Sequence, residues 1–106
     1  MRIYKYPLEI TDRQIILIGT LDPEPLSVAE QDGQLMLWVK LVEPINDEIY
    51  NKGFIHAIEI DIVGTGNECS IGGKEFIGTV VMSNGLVWHV FYEMRWMREN
   101  HYPNYR

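Results

Sequence analysis

The sequence predicts an all-β domain of about seven mostly antiparallel strands, folded as a small sandwich or barrel. Three observations carry this. Apolar residues recur at every second position through most of the 106-residue chain. Turn pairs such as Asp32-Gly33 and Asn84-Gly85 separate the runs at short intervals. No segment sustains the wider apolar spacing of an amphipathic helix.

The elements follow in order. Tyr4, Tyr6, Leu8 and Ile10 alternate with Lys5, Pro7 and Glu9, which reads as a strand with one buried face. Pro7 has no N–H to give to a ladder, so this strand is expected at an edge or with a bulge. Thr11-Asp12-Arg13 turns the chain into a short apolar strand, Gln14 to Ile18, that stops at Gly19. Asp22-Pro23-Glu24-Pro25 reads as a loop.

Leu26 to Gln31 and Gln34 to Val42 form a hairpin about Asp32-Gly33, because both turn residues tolerate positive φ. In the second arm Leu35, Leu37, Val39 and Leu41 share one face, and Met36, Trp38, Lys40 and Val42 the other. Both faces are mostly apolar, so this strand is expected to be central or to meet a partner on its outer side. Glu43 to Gly53 is a polar loop with room for a helical turn at Asp47 to Asn51.

Ile55 to Val63 resumes the alternation, with Ile58, Ile60 and Ile62 inward and Glu59 and Asp61 on a solvated face. The glycine-rich loop from Gly64 to Gly73 leads into a second hairpin. Its arms are Lys74 to Met82 and Leu86 to Glu93, around Ser83-Asn84-Gly85. Val87, His89 and Phe91 face one way in the last arm; Leu86, Trp88, Val90 and Tyr92 face the other. A short irregular or helical tail starts at Met94, and Pro103 ends any helical turn there. The domain is therefore 1–93 and the tail 94–106.

Bulk composition narrows the function classes. A chain that is 46% hydrophobic can bury one core without staples. Cys69 is the only cysteine, which excludes an internal disulfide and fits a reducing cytoplasm. The start of the chain alternates like a strand rather than a signal peptide, and no run has the length of a membrane span. Glu9 to Glu68 holds twelve acids against three bases, a net of −9. An acidic body repels nucleic acid, so direct nucleic-acid binding is not expected.

Few residues point to chemistry. Gly64-Thr65-Gly66 follows a strand as a dinucleotide fingerprint does, but the third glycine and the helix that would receive a pyrophosphate are missing. No cofactor is expected. His56, His89, His101 and Cys69 do not fall at ligand spacing, so no metal is expected either. His89, between Val87 and Phe91, reads as a packed residue bonded through one nitrogen. Thr65, Ser70 and Ser83 do not sit in a nucleophile elbow, and the chain reads as a non-enzyme.

Binding residues are easier to nominate. The tail mixes Arg95, Trp96, Arg98, Tyr102 and Tyr105, residue types enriched where binding energy concentrates. Asp22, Glu24, Asp47 and Glu48 form an acidic surface. Gly64, Thr65, Gly66 and Asn67 form a candidate contact loop.

Four phrases also carry a resemblance. Ile3-Tyr4-Lys5-Tyr6-Pro7-Leu8-Glu9-Ile10-Thr11-Asp12, Val63-Gly64-Thr65-Gly66-Asn67, Phe76-Ile77-Gly78-Thr79 and Val87-Trp88-His89-Val90-Phe91 occur in this order. Together they resemble a family of small uncharacterised phage and prophage proteins, over most of Met1 to Glu93. The resemblance implies expression in the cytoplasm of an infected bacterium, and it carries no activity. By association, a short acidic phage protein of this kind binds and inhibits a host defence component, a protein met by the acidic surface and the tail. Two alternatives stay open: an oligomeric sponge holding a small signalling nucleotide through Arg95, Trp96 and Arg98, and a virion or assembly accessory protein that packs against copies of itself.

Overall fold

In a computed structural model the structure describes residues 1–18, 23–41, 55–69 and 72–97, with residues 55, 96 and 97 described by backbone alone. Seven strands form: β1 (Arg2–Pro7), β2 (Arg13–Ile18), β3 (Glu24–Gln31), β4 (Gln34–Leu41), β5 (Ile55–Gly64), β6 (Glu75–Val81) and β7 (Val87–Met97). They make two antiparallel sheets, ordered β1-β4-β3 and β2-β5-β7-β6. The two sheets face each other as a sandwich, so of the two expected architectures the barrel is set aside. Among the described residues no helix is long and apolar enough to cross a membrane.

The core is the meeting of two rows read from alternation. Leu35, Leu37, Val39 and Leu41 of β4 pack against Ile58, Ile60 and Ile62 of β5, with Val80 and Val90 beside them. Because alternate residues of a strand lie on opposite faces, β4 is central and its second row, Met36, Trp38 and Lys40, points outward and half-exposed. Asp32 (φ 53°) and Gly33 (φ 79°) both take the left-handed conformation that a two-residue hairpin needs. At the other hairpin only Gly85 does; Gly85 N–H donates to the Met82 carbonyl at 2.9 Å, and Asn84 caps the turn with its side chain.

The chain crosses between sheets sooner than alternation suggests. β1 ends at Pro7, and Leu8, fully buried, donates its N–H to the Leu35 carbonyl at 2.9 Å. Ile10 therefore falls on the crossing and is exposed, not on the buried face of a longer strand. The sandwich is closed on one side by β3 against β6. A Cβ at Gly78 would come within 3.0 Å of Val28 Cγ2, so glycine permits the approach of the two strands. Glu30 accepts bonds from the Ser83 N–H and hydroxyl, both at 2.9 Å, across the same seam.

The boundary at Glu93 needs correction. β7 continues through Met94, Arg95, Trp96 and Met97, which pair with Ile58, Ala57, His56 and Ile55 of β5. This stretch is strand rather than a tail or a helical turn. A four-residue apolar and charged run has no distinct period, and the partner strand decides its conformation.

Candidate functional site

β5 ends at Gly64, and the next three residues form a tight loop. A Cβ on Gly64 would lie 2.8 Å from Asn67 Nδ2 and 3.3 Å from Trp88 Cζ3, so a larger residue there would push the Asn67 amide aside and press on the indole. Gly66 takes φ +87°, and Asn67 N–H donates back to the Gly64 carbonyl at 3.1 Å.

Register then brings three strands together on the outer face. Val63, His89 and Thr79 lie side by side on β5, β7 and β6. His89 Nδ1 is 2.9 Å from Thr79 Oγ1, and its Nε2 is 2.8 Å from Thr65 Oγ1 in the loop. A hydroxyl can donate or accept, so the two threonines suit the imidazole whichever ring nitrogen carries hydrogen. His89 is thus bonded at both nitrogens and lies on the outward face, where the sequence suggests a packed residue bonded at one. Thr65, Thr79 and His89 each come from a different one of the glycine- and aromatic-marked phrases.

Two clefts flank this loop. One, about 490 Å³, lies between the Asp12-Arg13 corner and the loop, with Trp88, Asn67 and Glu68 on its walls. The other, about 330 Å³, lies on the far side, where Leu86 and Val87 join Trp88. Gly64, Asn67 and Trp88 belong to both. The pair offers an aromatic wall, a side-chain amide and carboxylates at one rim, surroundings in which a protein side chain can seat.

Beside the clefts lies a compact charge network. Glu59 and Asp61 point outward from β5 as expected, yet they are only 7% and 5% exposed, which overturns the solvated face. Lys74 Nζ donates to both carboxylates at 2.6 Å. Arg13 grips Asp61 with two parallel bonds of 2.9 and 3.0 Å. Arg95 Nη2 stands 3.7 Å from Glu59. The hydrogen bond from Lys74 holds the Glu59 carboxyl below its usual range against the opposing effect of burial. Burial pushes the Asp61 carboxyl up, but the bonds from Arg13 and Lys74 outweigh it, and the net shift is also downward. Both acids stay ionised and matched to cations, an arrangement that braces the sheet. Nearby, the Tyr92 hydroxyl is pushed up to about 12, chiefly because it donates to the Glu75 carboxylate at 2.7 Å.

The nominated residues divide. Gly64, Thr65, Gly66 and Asn67 form one loop at the clefts. Glu24 is elsewhere, on β3, ion-paired with Lys40 at 2.6 Å. Arg95 is on β7 and ion-paired with Glu93 at 3.3 Å as well as facing Glu59. Trp96 has its backbone in β7 beside His56. Asp22, Asp47, Glu48, Arg98, Tyr102 and Tyr105 lie outside the described residues. Among the described residues no three His, Cys, Asp or Glu gather to hold a metal ion.

Sequence reasoning did not nominate Thr79, Trp88 or the carboxylates at Asp12 and Glu68, and it took Lys74 only as the start of a strand. For Thr79 a signal existed, since it closes the Phe76-Ile77-Gly78-Thr79 run.

Residues 1–100 match the family model of a domain of unknown function, DUF7352, and the chain belongs to that family. No curated protein and no solved structure matches it.

Proposed function

We propose that this member of the DUF7352 family is a binding protein that docks a partner protein on the Gly64–Asn67 loop and the clefts beside it. One observation carries the reading: the Thr65–His89–Thr79 chain of hydrogen bonds, which ties the loop tip to two strands of the sheet. A loop held in its bound shape loses less conformational freedom on association, so more of its contact energy appears as affinity. Small polar residues around a tryptophan are also the composition of adaptable recognition surfaces.

The partner follows from charge and from the phage resemblance. Asp12 and Glu68 at the rim, on a chain of net charge −6, favour a basic protein surface and speed the encounter with it. In an infected bacterium that partner is a host defence protein, inhibited by occupation of its surface. Arg95, already engaged by Glu93 and Glu59, supports this reading over a nucleotide gripped by the tail.

A pull-down from infected cells, read by protein and small-molecule mass spectrometry, tests the proposal. The wild-type chain should capture a host protein that Thr65→Arg releases, while deletion of residues 98–106 leaves capture intact. Capture that survives Thr65→Arg, with the variant folded by circular dichroism, sinks the loop as the contact site. Recovery of a nucleotide in place of a protein favours the sponge.

A further inference from the structure

We propose that β2 is a docking edge along which a second copy of this chain adds its own β2, antiparallel, to join two four-stranded sheets into one. The inference goes beyond the binding reading and stands or falls without it. Its basis is a contrast among the four edge strands, β1 and β3 of one sheet and β2 and β6 of the other.

An edge strand presents unpaired N–H and C=O groups, and monomeric proteins guard such edges with proline, bulges, charge or cover. Three edges here are guarded. β1 carries Lys5 and Pro7. β3 carries Pro25, with a register shift between Pro25 and Ser27. β6 is irregular between Phe76 and Gly78, and lies against β3 where Gly78 meets Val28.

β2 has none of these devices. It pairs with β5 through all six residues without a shift, contains no proline, and runs Ile15-Ile16-Leu17-Ile18. Its one charged residue, Arg13, is turned onto Asp61. Leu17 is 39% exposed. Among the described residues, no strand pairs with the far side of β2.

The strand also selects its occupant. Ile15 and Leu17 lie on the outer face, Ile16 and Ile18 on the inner, so a matching strand must be apolar on both faces. Most partner strands are apolar on one face only. A second β2 running antiparallel meets the requirement, placing Ile15 and Leu17 of each copy against those of the other about a two-fold axis. The strand carries no acid, so the seam avoids the repulsion that net charge −6 would impose on other contacts between copies.

Sedimentation equilibrium of the full chain, from micromolar to millimolar concentration, is the test. Wild type should weigh as a dimer at the upper end. Leu17→Lys should weigh as a monomer throughout, with unchanged circular dichroism. Val81→Lys, on the exposed face of the opposite edge strand, should remain a dimer. Leu17→Thr provides for the case in which the lysine unfolds the chain, and should raise the dissociation constant by about tenfold. A wild type that stays monomeric at millimolar concentration overturns the proposal. So does a dimeric, folded Leu17→Lys, a monomeric Val81→Lys, or a Leu17→Thr that dimerises as wild type does.

Discussion

The two outward faces of the sandwich invert what alternation suggests about them. On the three-stranded sheet the outer row of β4, Met36 and Trp38, is apolar, yet it is half-open to solvent, with exposed Ile3 beside it. Its polar groups are ties between strands: Lys5 to Gln31 at 2.7 Å and Lys40 to Glu24 at 2.6 Å. On the four-stranded sheet the outer row of β5 is acidic, yet it is covered, because Lys74 lies across it with its own side chain 5% exposed. Alternation assigns a residue to a face; whether that face is wet depends on what crosses it. The energetic consequence is unequal. An exposed ion pair contributes about 0–1 kcal/mol, whereas removing one member of a buried pair strands its partner without solvent.

Lys74→Met should therefore give the largest effect, a loss of about 2–3 kcal/mol of stability in chemical denaturation, because Glu59 loses its hydrogen-bonded cation and keeps only the longer contacts to Arg13 (3.4 Å) and Arg95 (3.7 Å). A pH series sharpens the point. The folded-state values of Glu59 and Asp61 lie below their unfolded ones, so the stabilisation they contribute is present above about pH 4 and lost as pH falls through the folded values. Without Lys74, burial acts on Glu59 with less opposition, and protonation relieves it. The stability gap between wild type and variant should narrow steadily from about pH 7 to pH 4. A gap that is small, or flat with pH, would show that the acidic face is solvated after all.

The same contrast marks how far the sequence could be read. All seven strands and both hairpins were legible, because Leu35–Leu41 and Ile58–Ile62 alternate cleanly and Asp32-Gly33 and Ser83-Asn84-Gly85 have turn chemistry. Within the candidate site, the Gly64–Asn67 loop was legible from its glycines. The partners of His89 were not, since Thr65 and Thr79 reach it only once β5, β7 and β6 are in register. Burial of Glu59 and Asp61 was hidden for a related reason: Lys74 follows the Gly72-Gly73 turn, and where that turn delivers it is a tertiary fact. The strand character of Met94 to Met97 also rests on β5, not on any local preference.

His89→Ala comes next in size. It removes two hydrogen bonds on a half-buried part of the charged face, so the expected loss is about 1–2 kcal/mol, and Thr65→Val alone should cost about half of that. The informative readout is the loop. Hydrogen exchange at Asn67, whose N–H is bonded to the Gly64 carbonyl, should speed up in both variants, while exchange in β4 stays as in wild type. If stability falls but the loop exchanges as slowly as before, the Thr65–His89 bond is not what holds it, and the preorganised contact site loses its basis.

Truncation on the open face should cost less than either Lys74→Met or His89→Ala. Trp38 lies between Lys5 of β1 and Ser27 of β3, and its indole is half-exposed, so much of its apolar area already meets water in the folded chain. Trp38→Ser removes cross-strand contacts and a fraction of a buried aromatic, an expected cost of about 1 kcal/mol by thermal denaturation. The core row beneath is untouched, because Leu37 and Val39 point the other way. A cost as large as that of Lys74→Met would mean that Trp38 is covered in solution as Glu59 and Asp61 are. The two faces would then differ in chemistry but not in burial, and the apolar row of β4 would need an occupant of its own.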